Sequence, residues 1–259
     1  VLGVFIGHLL LSYDPRRSPS GHSAGGAVHR AVTIWSLGWP HSSPYADVEC
    51  LGTYKSVKPT GCLECEYETQ QLVSPLLLTF ADDSPSNVVG DFVWPMFEPV
   101  LRKQCALELS RKFSGFKLGT VRIVAKPHDQ RKFVKVGCKI LGRYDFRWLI
   151  PTVTVAADMS MSTLKVEERC PKCGKPVYHV KGMEIDDLRY DRKKDLLMRV
   201  RRRRKEGMGI FVRGKALGNA SIFRVAEQSG AILCRDDVKR YIQDNGWTNV
   251  SLLEIGDIV

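Results

Sequence analysis

The chain has 259 residues, 44% of them hydrophobic, enough to bury the core of one large domain or two ordinary ones. No stretch reaches the roughly eighteen apolar residues that a membrane span needs, so no membrane partner is expected. The net charge is +11, but residues 189–205 alone carry ten Lys/Arg against Asp191 and Asp195, so the chain is basic in one run and nearly balanced elsewhere.

Residues 1–31 read as a poorly ordered N-terminal segment. Residues 1–11 are apolar over the length of a signal core, yet no positive charge precedes them, and a Ser/Gly/Pro-rich linker follows. Globular text begins at Val32, where Trp35, Leu37 and Trp39 alternate as in a short strand. Lys58-Pro59-Thr60-Gly61 reads as a turn, residues 72–78 as an extended apolar run, and residues 82–87 as a surface loop. Phe92-Val93-Trp94 predicts a strand. Cys105, Ala106, Leu109 and Phe113 then form the stripe of an amphipathic helix, stopped by Gly115 and followed by an alternating strand over 116–124. Further strands are expected at 132–136 and 148–155.

The C-terminal part repeats this plan. Residues 222–225 are strand-like, 231–234 lead in, and 236–242 are helical, with Arg235 or Asp236 near the cap and Asn245-Gly246 as the stop. Residues 247–252 return as a strand. Val100-Leu101 aligns with Ile232-Leu233, and residues 113–116 align with 247–250. Two copies of one unit would produce this, and so would any two amphipathic helices set between strands. The expected fold is a β-rich α+β protein with a zinc-ribbon-like element and two related strand–helix–strand halves, 32–156 and 157–259.

Cysteine usage gives the chemistry. Of eight cysteines, four form two C-x-x-C pairs, Cys62/Cys65 and Cys170/Cys173, and the others are scattered in apolar surroundings. That is the usage of a reducing compartment rather than of a disulfide framework, and it points to the cytoplasm. Each pair can clip two thiolates to one edge of a metal ion, and two clips make a closed S₄ site suited to structural Zn²⁺. Pro171 and Gly174 flank the second pair as a zinc knuckle requires, because a glycine there lets the backbone turn its amides toward sulfur. The first pair has Glu66 in that place. The 104 residues between Cys65 and Cys170 exceed the spacing of a compact ribbon, so one shared site would enclose a whole subdomain. Clips that have lost their metal are the competing reading. A redox C-x-x-C is disfavoured, since neither pair opens a helix after a strand.

Paired C-x-x-C motifs, the second followed by glycine, each leading to a strand–helix–strand unit with an aromatic-Ser/Thr-Gly/Asn-aliphatic return, resemble the double-CXXCG-motif proteins of myxobacteria and their relatives. The resemblance covers residues 45–259. It implies that Cys62, Cys65, Cys170 and Cys173 are metal ligands, and that the chain is an immunity protein holding a toxin-like protein partner.

The run Arg199-Val200-Arg201-Arg202-Arg203-Arg204-Lys205 has two readings. Arg201, Arg202, Arg203 and Arg204 could neutralise a nucleic-acid backbone. Alternatively the run is one solvated helix face, paired with the acids upstream at 186, 187, 191 and 195. The glycines at 207–218 do not match a phosphate loop. His179 reads as a strand residue rather than a substitute ligand, and no catalytic set assembles from the sequence. The expectation is a non-enzymatic, zinc-containing binding protein, with a zinc-ribbon nucleic-acid binder as the alternative.

Overall fold

The computed structural model describes residues 32–40, 44–51, 54–56, 70–80, 86, 88–95, 98–124, 145–182, 187–191, 196–200 and 204–259, with the backbone alone at 54–56, 70–71, 187–191 and 196–200. The predicted segment 1–31 and the strand expected at 132–136 lie outside them. Residues 31–259 form one compact unit.

The chain is a β-rich α+β protein. Its strands are β1 (Val32–Gly38), β2 (Val48–Cys50), β3 (Tyr54–Ser56), β4 (Gln70–Leu72), β5 (Leu76–Phe80), β6 (Phe92–Val93), β7 (Val100–Arg102), β8 (Phe116–Ile123), β9 (Phe146–Pro151), β10 (Thr154–Val155), β11 (Leu164–Arg169), β12 (Pro176–Val180), β13 (Asp187–Asp191), β14 (Leu196–Val200), β15 (Ile210–Val212), β16 (Ile222–Val225), β17 (Gln228–Arg235) and β18 (Ser251–Ile258). The helices are α1 (Lys103–Lys112), α2 (Gly214–Leu217) and α3 (Asp236–Asp244). Both long helices form where the apolar spacing places them: α1 buries Cys105, Ala106 and Leu109, and α3 buries Val238 and Ile242. The apolar run 72–78 divides into β4 and β5, and the stretch 148–155 divides into β9 and β10.

Two six-stranded sheets carry the fold, ordered β2-β5-β8-β9-β7-β6 and β10-β16-β17-β1-β18-β15. Five strands of each run in the same order and directions. β5 lies parallel to β8 and β15 parallel to β18, whereas every neighbouring pair from β8 to β6, and from β18 to β16, is antiparallel. Each long helix therefore crosses between two parallel strands with one antiparallel strand seated between them. That central strand is β9 in the first sheet and β1 in the second. Registers follow suit, with Leu101 matching Cys234, one residue beyond the expected Leu233: Leu101 faces Arg147 where Cys234 faces Trp35, and Gly119 faces Trp148 where Leu253 faces Ser36.

The two sheets and both long helices share a central apolar core that includes Phe92, Leu101, Leu109, Leu149, Ile222, Cys234 and Val238. Each Phe, Leu, Ile or Val side chain among them, once buried, contributes about 1.5–3 kcal/mol. The opposite faces of the sheets carry separate cores, one around Leu76, Phe80 and Trp148 and the other around Ile34, Val212 and Phe223.

The turn after each helix reaches across to the other sheet. The Ser114 carbonyl accepts from the Ser221 and Ile222 amides at 3.0 and 3.1 Å, and the Thr248 carbonyl accepts from the Phe92 amide at 3.2 Å. In both turns the next residue is left-handed, Gly115 at φ 93° and Asn249 at φ 60°. The Asp91 carboxylate adds to the second crossing, accepting from the Thr248 amide and hydroxyl at 2.9 and 2.8 Å.

The predicted division at 156/157 does not separate the sheets. β1 sits inside the sheet formed by the C-terminal strands, and β10 sits at that sheet's edge.

Candidate metal knuckle and its surroundings

The second cysteine pair occupies the tip of the hairpin β11–β12. Leu164 and Val180 lie opposite each other and pack on the core around Phe223, while the intervening pair, Lys165 and His179, is exposed. The register slips between Val166 and Glu168, a bulge that bends the arm toward its tip.

The tip itself is closed by backbone bonds. The Cys170 amide donates to the Lys175 carbonyl at 2.9 Å, and the Gly174 amide donates to the Cys170 carbonyl at 2.9 Å. The Arg169 guanidinium donates to the Gly174 carbonyl at 3.2 Å. Gly174 takes φ 72°, left-handed and open to solvent on its Cβ side, so this position needs glycine for its backbone and not for space. Cys170 is half-buried and Cys173 exposed.

Two thiols on one tight turn suit a borderline-soft cation such as Zn²⁺ and supply two of its four ligands. Cys62 and Cys65 lie outside the described residues, in the segment 57–69 that joins the paired strands β3 and β4. Each C-x-x-C thus falls between the two strands of a small antiparallel pair. Among the described residues alone, no group of three or more His, Cys, Asp or Glu is arranged to hold a metal.

Two of the other described thiols, Cys105 and Cys234, are of another kind. Cys105, in the first turn of α1, donates to Asp91 Oδ1 at 3.8 Å, and burial, then the Asp91 charge, push its thiol up to about 12. Cys234 is fully buried in β17, and burial with the nearby Asp237 and Asp236 carboxylates pushes its thiol still further up. Thiols held protonated in this way are inert structural hydrophobes.

The basic run is not a helix where it is described. Its first residues, Arg199 and Val200, lie in β14, paired with Leu188 and Asp187. Residues 201–203 lie outside the described residues. Arg204 is turned inward, its side chain 7% exposed, with Nε 3.2 Å from Glu254 and Nη2 bonded to Asp257, both on β18. This guanidinium ties the chain to β18. Just beyond it, the Lys205 amide donates to the Gly182 carbonyl at 3.2 Å and closes the base of the β13–β14 excursion. The expected helical face is therefore corrected to a hairpin leading into an anchored arginine.

Contacts that join the sheets were beyond sequence reasoning because they link residues far apart in the chain. Glu98 accepts from Trp148 Nε1 at 3.1 Å and pairs with Arg224 at 3.1 Å. A cleft of about 240 Å³ opens beside the knuckle, between β12 and the β16–β17 turn. No helix among the described residues is long and apolar enough to cross a membrane. Compared with protein-family models and with curated proteins, the chain matches none.

Proposed function

We propose that this chain is a non-enzymatic binding protein of two related halves, pinned by one structural Zn²⁺ that Cys62 and Cys65 hold together with Cys170 and Cys173, and that it works in a reducing cytoplasm. The observation that carries the reading is the Cys170–Gly174 turn. Its backbone is closed and its glycine left-handed, yet its tip is exposed and adds little to any core. Two thiols held on one closed turn outside every core suit a two-thiolate clip on a metal ion. When bound, zinc supplies a cross-link between distant stretches, so that binding energy becomes folding energy.

Support for related halves comes from the shared strand order, the corresponding registers and the reciprocal turns at Ser114-Gly115 and Thr248-Asn249. By its resemblance to double-CXXCG-motif proteins, the partner is a toxin-like protein that this chain neutralises. The inward anchoring of Arg204 disfavours the nucleic-acid reading for that residue.

Metal analysis of the reduced, purified chain tests the site. About one zinc per chain is expected, falling to none in both the Cys62→Ser/Cys65→Ser and the Cys170→Ser/Cys173→Ser variants. Two ions in the native chain, with one surviving in each variant, would replace the shared site by two separate ones. Protection of cells from the toxin, lost with the cysteines, tests the immunity role.

A further inference from the structure

The hairpin that carries the knuckle has a second edge. Cys170 donates to Lys175 at the tip and Lys181 donates to Thr163 at the base, and His179 faces Lys165 between them. In an antiparallel ladder this turns the backbone groups of 175, 177, 179 and 181 toward β11, and those of 176, 178 and 180 away from it. Pro176, which lacks an N–H, occupies one of the outward positions, where none is needed.

The outward groups face the cleft beside the knuckle. Lys175, Pro176 and Tyr178 form one wall, and Glu227, Gln228 and Gly230 lie on the other. Across it the Gln228 side-chain amide donates to the Tyr178 carbonyl at 2.7 Å. A side-chain amide thus stands where the backbone amide of an added strand would stand. Charge narrows the occupant. The hairpin exposes Lys165, Arg169, Lys172, Lys175 and Lys181 against Glu167 and Glu168. The carboxylate of Glu227 is engaged with the Ala157 amide at 2.9 Å. Among the described residues, Tyr178 is the one aromatic lining the cleft, whereas single-stranded nucleic acid is held by successive aromatic platforms.

We propose that the outer edge of β12 takes up an extended, acidic peptide segment as an added strand, displacing the Gln228 amide from Tyr178. This rests on the binding-protein reading and names the kind of partner segment the knuckle arm receives. Main-chain bonds to the edge supply affinity, and carboxylates set against the lysines supply selectivity.

Fluorescence anisotropy with the full reduced chain tests it, using a labelled alternating Glu/Val heptapeptide, its Lys/Val counterpart and a short oligothymidylate. The Glu/Val peptide is expected to bind, and the other two are not. Tyr178→Pro removes an outward N–H without touching the ladder to β11, and Lys175→Glu reverses the charge at the mouth. Each is expected to weaken binding by about tenfold or more while zinc content and melting temperature hold. Slowed hydrogen exchange at the Tyr178 amide on peptide addition locates the contact. Equal binding by both variants, or equal binding of the lysine peptide or the oligonucleotide, overturns the proposal. So does a Glu/Val peptide that fails to bind up to about 1 mM. In that last case one zinc per chain in the same preparation leaves the metal reading standing, whereas peptide binding by a chain without zinc sinks the metal reading alone.

Discussion

Cys105 and Cys234 belong to one apolar core, and Cys173 stands on an exposed turn, although all three are simple thiols in the sequence. Reactivity follows the thiolate, so environment decides it. A thiol held at about 12 is roughly one ten-thousandth ionised at pH 8, and burial also blocks the reagent. Native protein stripped of metal should therefore react with iodoacetamide at Cys173 at pH 8 while Cys105 and Cys234 stay unmodified until the chain unfolds. Peptide mapping after timed quenching reads this directly. Labelling of Cys105 at a rate near that of Cys173 would show that its core opens, and the inert assignment would be wrong. The same contrast explains which cysteines could be sorted beforehand. The C-x-x-C spacing marked the knuckle pair, and apolar neighbours marked the buried singles. Nothing near Cys105 in the sequence announced Asp91 as its acceptor, because the two are brought together by the β6–β7 fold-back.

At the level of elements, the two long helices were legible because amphipathic periodicity survives without partners, and α1 and α3 start and stop within a residue or two of their signals. The hairpin β13–β14 was not. Charges spaced for a helix face mimic helical pairing, and the strand signal in Leu196–Val200 is too short to compete. The knuckle was legible as a turn, but its bulged arm and the cleft beside it depend on β16 and β17, some fifty residues away. Gly174 offers the sharpest test of the turn. A Cβ added there would have nothing within 4 Å of it, so any substitution cost is purely a backbone cost. Holding a β-branched residue left-handed costs on the order of 1–2 kcal/mol, and Asn pays less of it. Gly174→Val should thus weaken zinc binding by roughly tenfold in a chelator competition, and Gly174→Asn by distinctly less. Equal affinity in all three proteins would mean that the turn does not have to be left-handed to hold its metal.

For the whole molecule, the position of β1 is the decisive feature. By chain order it belongs with the N-terminal strands, yet it fills the slot between β17 and β18 that β9 fills between β7 and β8. Sequence periodicity predicted the strand but could not say which sheet it joins, since either slot accepts an alternating apolar segment. The registers then make a topological statement. Val32 faces Ile258, so the end of β18 lies one strand spacing from the start of β1, just as the end of β8 leads through residues 124–145 into β9. If the halves are related, the β18–β1 corner is the β8–β9 hairpin left unjoined. A chain opened within 125–144, with residues 1–31 removed and Val259 joined to Val32 by a linker of about four Gly/Ser residues, should then keep both sheets, since hairpin loops of two to five residues suffice for antiparallel neighbours. It should be soluble, melt cooperatively within a few degrees of the native chain, and retain zinc. A chain opened instead between Arg102 and Lys103 should fail, because that cut frees β7 from α1 inside the shared core. Failure of the first permutant alongside success of the second would remove the equivalence of the two corners, and with it the related halves.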